Sequence, residues 1–435
     1  MGNAEGDHRG NGSSVTRIIW RTPFLRAACI SLFVAGIAAS STMPQMTLYL
    51  VTELHIPIQA AGLYYLVNLT APVAGFVVGT LSERLTNRLS LYRACAVVAA
   101  LGWAAMALAD RPWMPFLIGA FVLSFGGGAM GQLFAATRDE LSRHPTPADN
   151  RIVSAVRMSF TAGWIVGPVL GSWFGATFGL RSLLLANAAC LVAQLVPLGT
   201  RRIERFKVEP VRPEVSAGPT DGPHGDRTDG PTTYGTKNTL TPLLVFLGCC
   251  VLVMNGDTMK FAFLPLYMAN QLHVGDALRG TVIAVQPFLE LLLMPVFARM
   301  ADRFTPIRVL TMAALLGVGA HVAYATSTHV VGLFVGQALM SGVWAAVAGL
   351  GITVAQQLCP DRIGLASSMF SSCIPLAGAV GGSVGAFGVG WLGIPHLFVI
   401  PAVLTVLGFA GFLLTSRRFK PDDSAFAVGA EAAKA

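Results

Sequence analysis

Long apolar stretches, separated by short polar ones, follow each other along almost the whole chain. Each stretch is close to the ~20 residues that an α-helix needs to cross the ~30 Å core of a bilayer. Since lipid offers the backbone no hydrogen-bond partners, such stretches favour helices, which satisfy their own polar groups. The pattern predicts an all-α membrane protein with twelve transmembrane helices, expected at residues 25–50, 58–80, 91–109, 114–136, 152–178, 181–199, 241–268, 278–298, 308–326, 329–357, 365–389 and 394–415.

A nine-residue frame near the end of the first helix returns about half a chain later. Residues 48–56 read LYLVTELHI and residues 266–274 read LYMANQLHV, an offset of 218 positions. Gly163 meets Gly381 at the same offset. A half-length repeat in an apolar chain predicts two pseudo-symmetric six-helix bundles that bind a solute between them and rock around it.

The repeat also places a tyrosine and a histidine at matching positions in the two halves. We expect Tyr49 and Tyr267 to lie in an interfacial aromatic belt, with a cavity-lining role as the alternative. His55 and His273 are expected as solvated residues of the outside loops.

Composition along the chain adds a division into segments. The stretch between helices 6 and 7 is dense in Pro, Gly, Asp and Thr, a composition that cannot bury a core and is typical of a flexible linker. The predicted organisation is a cytoplasmic tail over 1–24, a six-helix bundle over 25–199, a cytoplasmic linker over 200–240, a second six-helix bundle over 241–415 and a cytoplasmic tail over 416–435.

The distribution of basic residues along the chain indicates the membrane topology, whereas the net charge by itself does not. Hydrophobic residues make up 54% of the 435-residue chain and charged ones 12%, against about 25% charged in soluble proteins. The net charge is +8, but most of the arginines and lysines fall in alternate loops, as the positive-inside rule describes. We therefore expect a monomer in the cell (inner) membrane with both termini in the cytoplasm, whose partners are lipid and a small solute rather than nucleic acid.

The sequence lacks the residue patterns that metal binding, nucleotide binding and hydrolytic catalysis require. The seven cysteines lie in or at the ends of apolar segments without metal-ligand spacing, so we expect them to pack rather than to bind metal. A phosphate-binding G-x-x-x-x-G-K-[ST] loop does not occur, and no nucleophile stands near a base. We expect neither a cofactor nor enzymatic activity.

The loops after helices 2 and 8 carry the same arrangement of charges. Each has a small residue, then an acid–arginine pair, then a further arginine: Glu83, Arg84 and Arg88 after helix 2, and Asp302, Arg303 and Arg308 after helix 8. The acids can accept hydrogen bonds from a helix N-terminus and the arginines can pair with acids or lipid phosphates. Two symmetric copies favour a cytoplasmic latch that opens as the halves rock; a solvated basic turn is the alternative.

Helix 5 carries three glycines at intervals of four, Gly163, Gly167 and Gly171, together with Pro168. The glycines form a flat face for close helix packing, and the proline allows a bend because it removes a backbone hydrogen bond. Ordinary packing and a transport-specific role both explain this pattern.

Ionisable residues inside apolar helices are costly and usually functional. Asp257 and Lys260, three residues apart on helix 7, predict an ion pair that is either structural or part of the site. Glu290 lies far from both ends of helix 8, where burial favours the neutral carboxyl. We interpret Glu290 as the proton carrier, with Asp257 as a second coupling candidate. Arg157 on helix 5 either lines the site or extends to the cytoplasm.

Amide side chains inside the helices suggest a site for a hydroxylated ligand, because each amide both donates and accepts hydrogen bonds. Asn68 on helix 2 and Gln286 on helix 8 occupy symmetric places in the repeat. Further candidates for substrate binding are Gln45, Gln132 and Asn255.

The paired charged loops resemble the G-x-x-x-D-R-x-G-R-R signature of the major facilitator superfamily, and Gly163 to Gly171 resemble the G-x-x-x-G-P-x-x-G motif of its antiporters. The first loop departs at Glu83 and Thr86, and the second departs at Ala298 and Thr305. The resemblance covers residues 25–415 and implies alternating-access transport.

Residues 130–140 and 154–168 look like the fourth and fifth helices of the bacterial sugar efflux transporters. That family exports sugars and glycosides, driven by proton entry, and the resemblance implies Asn68, Gln132, Arg157 and Glu290 as site residues. Lys260 stands where the family has an uncharged residue. A multidrug or secondary-metabolite exporter, and a membrane sensor or scaffold with a transporter fold, are the alternatives.

Overall fold

The computed structural model of the chain describes residues 15–146, 148–203 and 240–418. Within them, twelve helices are long and apolar enough to cross a bilayer, as the hydropathy pattern predicts. They are α1 Pro23–Thr52, α2 Ile58–Arg84, α3 Arg88–Ala107, α4 Met114–Arg143, α5 Arg151–Phe178, α6 Leu180–Leu198, α7 Leu240–Asn270, α8 Asp276–Arg303, α9 Pro306–Thr326, α10 Val330–Leu358, α11 Ile363–Leu392 and α12 His396–Ser416.

The main difference from the predicted ranges is at helix ends rich in charge. Helix α4 continues to Arg143, seven residues beyond its apolar stretch, and α8 continues to Arg303. Charged residues end a hydrophobic run without ending a helix, because Arg and Glu are good helix formers. We call the side of the bundle where α2, α4 and α8 finish the arginine-rich end, and the other side the opposite end.

Parts of the predicted tails and linker lie outside the described residues: 1–14, 204–239 and 419–435. The described helices pack in two sets. Helix α1 packs on α5 and α3 packs on α4 and α6, while α7 packs on α11 and α12 and α9 packs on α10 and α12. Between the sets, α5 contacts α8 and α2 contacts α11.

The nine-residue repeat forms the same helix end twice. His55 and His273 have φ of 53° and 49°, the left-handed conformation that often terminates a helix. The next residue folds back in both copies: the Ile56 amide donates to the Leu50 carbonyl at 3.0 Å, and the Val274 amide donates to Met268 at 2.8 Å. Both histidines are exposed, as expected.

The interfacial prediction for the two tyrosines of the repeat is wrong. Tyr49 and Tyr267 are buried in the core. The Tyr49 hydroxyl donates to the carbonyl of Met106 at 2.6 Å, and the Tyr267 hydroxyl donates to the carbonyl of Ser327. Each tyrosine therefore joins the end of one helix to the end of another. This role could not be predicted from the sequence, because the two partners are far apart along the chain.

The two sets of helices meet at the opposite end and separate toward the arginine-rich end. A Cβ atom on Gly62 would lie 2.9 Å from the Cβ of Ala386, and one on Gly280 would lie 2.6 Å from the Cα of Val169. Farther along α2, Gly75 and Gly79 face open space among the described residues. Helix α11 packs along residues 58–70 of α2 but hardly along residues 71–84. The structure is thus closed at one end and open at the other.

Candidate functional site

A buried lysine organises a polar cluster between α7 and α8. Lys260 is fully buried, and its Nζ donates to Asp257 Oδ1 at 2.5 Å and to the Gln286 side-chain oxygen. The ion pair predicted from the three-residue spacing therefore forms. Its second partner, Gln286, comes from a different helix, so the lysine fixes α8 against α7.

Glu290 lies one turn beyond Gln286 on α8, toward the arginine-rich end, and is half-buried. Its carboxyl is within electrostatic range of both Lys260 and Asp257. One lysine thus faces two carboxyl groups, and a charged Glu290 gives the site one more negative charge than positive. We call Asp257, Lys260, Gln286 and Glu290 the charged cluster.

More polar side chains lie buried behind the charged cluster, on α9 and α10. His321 and Tyr324 are fully buried, and the His321 ring packs against Gly256. Neither ring nitrogen of His321 has a hydrogen-bond partner among the described residues. The side-chain nitrogen and oxygen of Gln337 on α10 also have none there. Sequence reasoning missed His321, although a histidine within an apolar helix was a readable signal.

Aromatic rings connect the charged cluster to the first six helices. Lys260 Nζ lies 4.2 Å from the centroid of the Phe261 ring. The Phe261 ring meets Trp164 of α5 edge-on at 6.1 Å, and Trp164 is 6.3 Å from Phe160. Lys260 is therefore linked to Trp164 of the first half through packed rings.

A cavity of about 410 Å³ lies inside the first six helices. All six helices contribute to its walls, α5 through Phe160. Most of the side chains around it are apolar, and the aromatic ones are Tyr64, Tyr65, Tyr92, Trp103 and Phe160. Its volume and lining are typical of a small-molecule site.

Of the six residues predicted to bind substrate, only Asn68 lines this cavity. Asn68 is half-buried, and its Nδ2 would lie 2.6 Å from a Cβ atom on Gly378 of α11. It therefore stands where the cavity meets the second half. Two cavity amides that sequence reasoning missed, Asn187 and Gln194, lie on α6; as polar residues in an apolar helix, both were visible in the sequence.

The structure places the other predicted amides in helix contacts. Gln45 donates to the Ser172 hydroxyl at 2.9 Å, joining α1 to α5. Asn255 donates to the carbonyl of Leu252 at 2.5 Å within α7.

The last two candidates lie toward the arginine-rich end. The side-chain oxygen of Gln132 accepts a hydrogen bond from Ser82 at 2.7 Å. Arg157 is exposed, with its guanidinium 5.8 Å from the centroid of the Phe134 ring. It does not meet the charged cluster.

The predicted latch residues differ between the halves. Arg88 donates to Asp139 at 2.9 Å and to Ser82 at 2.5 Å, within the first half. Glu83 and Arg84 are exposed at the same end. In the second half, Asp302, Arg303 and Arg308 are exposed, and no ion pair of theirs is found among the described residues.

The glycines of helix 5 lie against the backbone of α1. A Cβ on Gly163 would come 2.8 Å from the Cα of Gly36, one on Gly167 would come 2.7 Å from a main-chain oxygen of α1, and one on Gly171 would come 2.6 Å from a Cα of α1. Pro168 lies within α5 and meets Gly280 of α8. Among the described residues, no group of three or more His, Cys, Asp or Glu is placed to hold a metal ion.

Twelve membrane-spanning helices in two packed sets, with a buried ion pair on α7, are typical of membrane transporters. The family model of the Major Facilitator Superfamily matches residues 28–219 and 245–434 of the chain. The chain belongs to the Major Facilitator Superfamily and is a multi-pass membrane transporter.

Its curated relatives are also transporters. Sugar efflux transporter A of Dickeya chrysanthemi is 24% identical over 389 residues, covering 85% of this chain and 91% of the relative. Sugar efflux transporter B of Salmonella typhimurium is 24% identical over 364 residues, covering 82% and 87%. A multidrug resistance protein B homolog of Mycobacterium tuberculosis is 25% identical over 311 residues, covering 61% and 56%.

Solved structures show the same fold at low sequence identity. The crystal structure of the D323A mutant of the nucleoside transporter NupG superposes with a TM-score of 0.71 and 16% identity. The match covers 92% of this chain and 100% of that one. This likeness concerns the fold alone.

Proposed function

We propose that the chain exports sugars or sugar-like small solutes by alternating access, in exchange for protons, across the inner membrane with both termini in the cytoplasm. The observation that carries the proposal is the single buried cation of the charged cluster, Lys260, shared between Asp257 and Glu290. A buried site with two acids and one cation can change its charge by one proton.

The two states of Glu290 would act on the contact between α7 and α8. With Glu290 protonated, Lys260 is balanced by Asp257 alone and keeps its hydrogen bond to Gln286. With Glu290 ionised, the lysine is drawn toward a second carboxylate, which competes with the Gln286 contact. Since α8 is the helix that meets α5 of the first half, a change at this contact can be passed to the interface between the halves.

The open and closed ends support alternating access. The halves touch at Gly62 and Gly280 and separate toward the arginine-rich end. We take the arginine-rich end as cytoplasmic from the positive-inside rule, so the described conformation is inward-open. Glu290 then faces the cytoplasmic opening, where it would release its proton before the solute is taken outward.

The substrate class rests on the relatives named sugar efflux transporters and on the amides along the path. Asn68, Gln286, Gln45, Gln132 and Asn255 stay our predicted contacts to hydroxyl groups. Arg157 stays a predicted substrate-binding residue, and the charged residues of the two loops stay a predicted latch at the cytoplasmic face.

Export of apolar drugs or secondary metabolites is a second candidate function. The cavity in the first half is lined mainly by apolar and aromatic side chains, among them Met43, Met46, Trp103, Met130 and Phe160. A relative named as a multidrug resistance protein homolog points the same way.

A transport assay with Glu290→Gln tests the proposal. In proteoliposomes, the wild type should carry out counterflow of a labelled sugar and faster net flux under an imposed pH gradient. Glu290→Gln should retain counterflow and lose the response to the gradient, because an amide cannot carry the proton. Glu140→Gln, on α4, is the matched control and should behave as wild type.

Two results would count against the proposal. Counterflow of a labelled tetraphenylphosphonium cation without counterflow of any sugar would favour the drug exporter. A pH-driven flux that Glu290→Gln leaves unchanged would exclude Glu290 as the proton carrier.

A further inference from the structure

The cavity inside the first six helices contains polar groups that the charged cluster does not use. Asn187 and Gln194 lie on α6 with 3% of their surfaces exposed, and both line the cavity. Thr42 of α1 lies in the same wall. Helices α3 and α6 stand away from the contacts between the halves, so this wall lies to the side of the space between them.

The side-chain oxygen of Asn187 is an unused hydrogen-bond acceptor. Its Nδ2 donates to the Thr42 hydroxyl at 3.3 Å. Its Oδ1 is buried and has no partner among the described residues. Because an unpaired buried acceptor is unfavourable, a hydrogen-bond donor is expected to occupy the cavity beside Asn187.

The other walls of the cavity are mainly apolar and aromatic. Tyr64, Trp103 and Phe160 line it from α2, α3 and α5. A site with a few amides on one wall and rings on the others fits a molecule with hydroxyl groups at its edge and C–H groups on its faces. A single sugar ring has that shape.

The cavity also selects against charge. Its lining residues, all within the described ranges, include no lysine, arginine, histidine, aspartate or glutamate. An ion in such a place would lose its hydration without gaining a partner of opposite charge. The lining therefore favours a neutral ligand over a cationic drug.

We propose that this cavity binds one neutral, hydroxyl-bearing ring of the transported solute, with the Asn187 side-chain oxygen accepting a hydrogen bond from a ring hydroxyl. This inference rests on the proposed function, because the ring is taken to belong to the exported sugar. Asn68, at the border with α11, is where the ring would pass between the cavity and the space between the halves.

Trp103 in the cavity wall makes binding measurable as a change in tryptophan fluorescence. The full chain in detergent is titrated with glucose, with lactose and with tetraphenylphosphonium. Asn187→Leu removes the acceptor. Ala96→Leu fills the cavity from α3 and keeps every polar group. Asn270→Leu makes the same chemical change as the first variant at the exposed end of α7.

Asn187→Leu and Ala96→Leu should each weaken sugar binding by about tenfold or more, a loss of about 1.4 kcal/mol. Asn270→Leu should bind as wild type, and Trp103→Phe should lose the fluorescence change. If Asn187→Leu does not yield folded protein by size-exclusion chromatography, Ala96→Leu carries the test alone.

Wild-type sugar affinity in both cavity variants, in a protein that binds sugar, would overturn this inference and leave the proposed function standing; the cavity would then hold water only. Weaker tetraphenylphosphonium binding in Ala96→Leu, with sugar binding unchanged, would overturn the ligand class. A wild-type protein that neither binds nor transports any sugar would overturn the proposed function itself.

Discussion

The two halves share a scaffold but differ in what they bury. The first half contains a cavity without charged side chains, whereas the second half contains Asp257 and Lys260 on α7 and Glu290 on α8. Both end their first helix with a left-handed histidine and tie it down with a buried tyrosine. The difference teaches that the repeat preserves the parts that hold the fold. In our proposal, the cavity for the solute and the proton carrier lie in different halves.

The aromatic rings between these regions show how they could influence each other. Phe160 lines the cavity, Trp164 contacts it, and Phe261 contacts both Trp164 and Lys260. A solute ring that moves Phe160 therefore presses on a path of packed rings that ends at the lysine. Packed side chains of this kind are the physical means by which coupling is carried.

Removing Lys260, the buried cation of the charged cluster, should destabilise the second half more than any other substitution considered. Lys260→Met leaves Asp257 buried without a partner, which typically costs about 3–5 kcal/mol. We expect a large fall in the thermal unfolding temperature in detergent. The double variant Asp257→Asn/Lys260→Met should recover most of the loss, since no unpaired charge remains in the pair.

The control for this prediction is Arg308→Met, which removes an exposed cation from α9 and should unfold as wild type. A double variant as unstable as Lys260→Met would show that the lysine acts through packing rather than through its charge.

The shared scaffold can be tested with matched glycines. Gly163 meets the backbone of α1, and its repeat partner Gly381 meets the main-chain oxygen of Asn255 on α7. Valine at either position should destabilise the fold by about 1–3 kcal/mol, because the backbones must move apart. Gly79→Val, which points into open space, should leave the unfolding temperature unchanged. Unequal effects at Gly163 and Gly381 would contradict a symmetric scaffold.

The smallest expected effect concerns the arginine-rich loops. Arg88 pairs with Asp139, and their side chains are 16% and 13% exposed. Because these side chains are mostly buried, Arg88→Gln should cost about 1–2 kcal/mol, which is more than an exposed pair is worth and less than the loss of the fully buried Lys260. Arg308→Gln removes the matching arginine of the second loop, which is exposed, and should cost nothing measurable. Equal losses in both variants would mean that the two loops are built alike.

The hydropathy pattern was sufficient to predict the twelve helices, because each helix that crosses lipid needs a nearly continuous apolar stretch. The spacing of Asp257 and Lys260 was sufficient to predict their ion pair, since residues three apart share a helix face. The contact of Lys260 with Gln286 joins residues on two helices, so no local pattern contains it. The same holds for Tyr49, whose partner Met106 is on α3.

The candidate site was harder to predict because polarity alone does not distinguish a cavity from a helix contact. Gln45 and Gln132 stay predicted substrate contacts, and both are hydrogen-bonded between helices in this structure. Asn187 has the same chemistry and lines a void. Where helices leave space between them depends on the sizes of side chains from six helices, and no local sequence pattern contains that information.

The central claim, that solute and proton are handled in different halves, predicts that only one of two substitutions changes a ratio of fluxes. The measurement is the flux of labelled sugar under a pH gradient divided by its counterflow, at saturating sugar, for Asn187→Leu and Glu290→Gln in proteoliposomes. Asn187→Leu should keep the wild-type ratio although it needs more sugar to saturate, and Glu290→Gln should lose the gradient-driven part of the ratio. A lowered ratio in Asn187→Leu together with a wild-type ratio in Glu290→Gln would contradict the account.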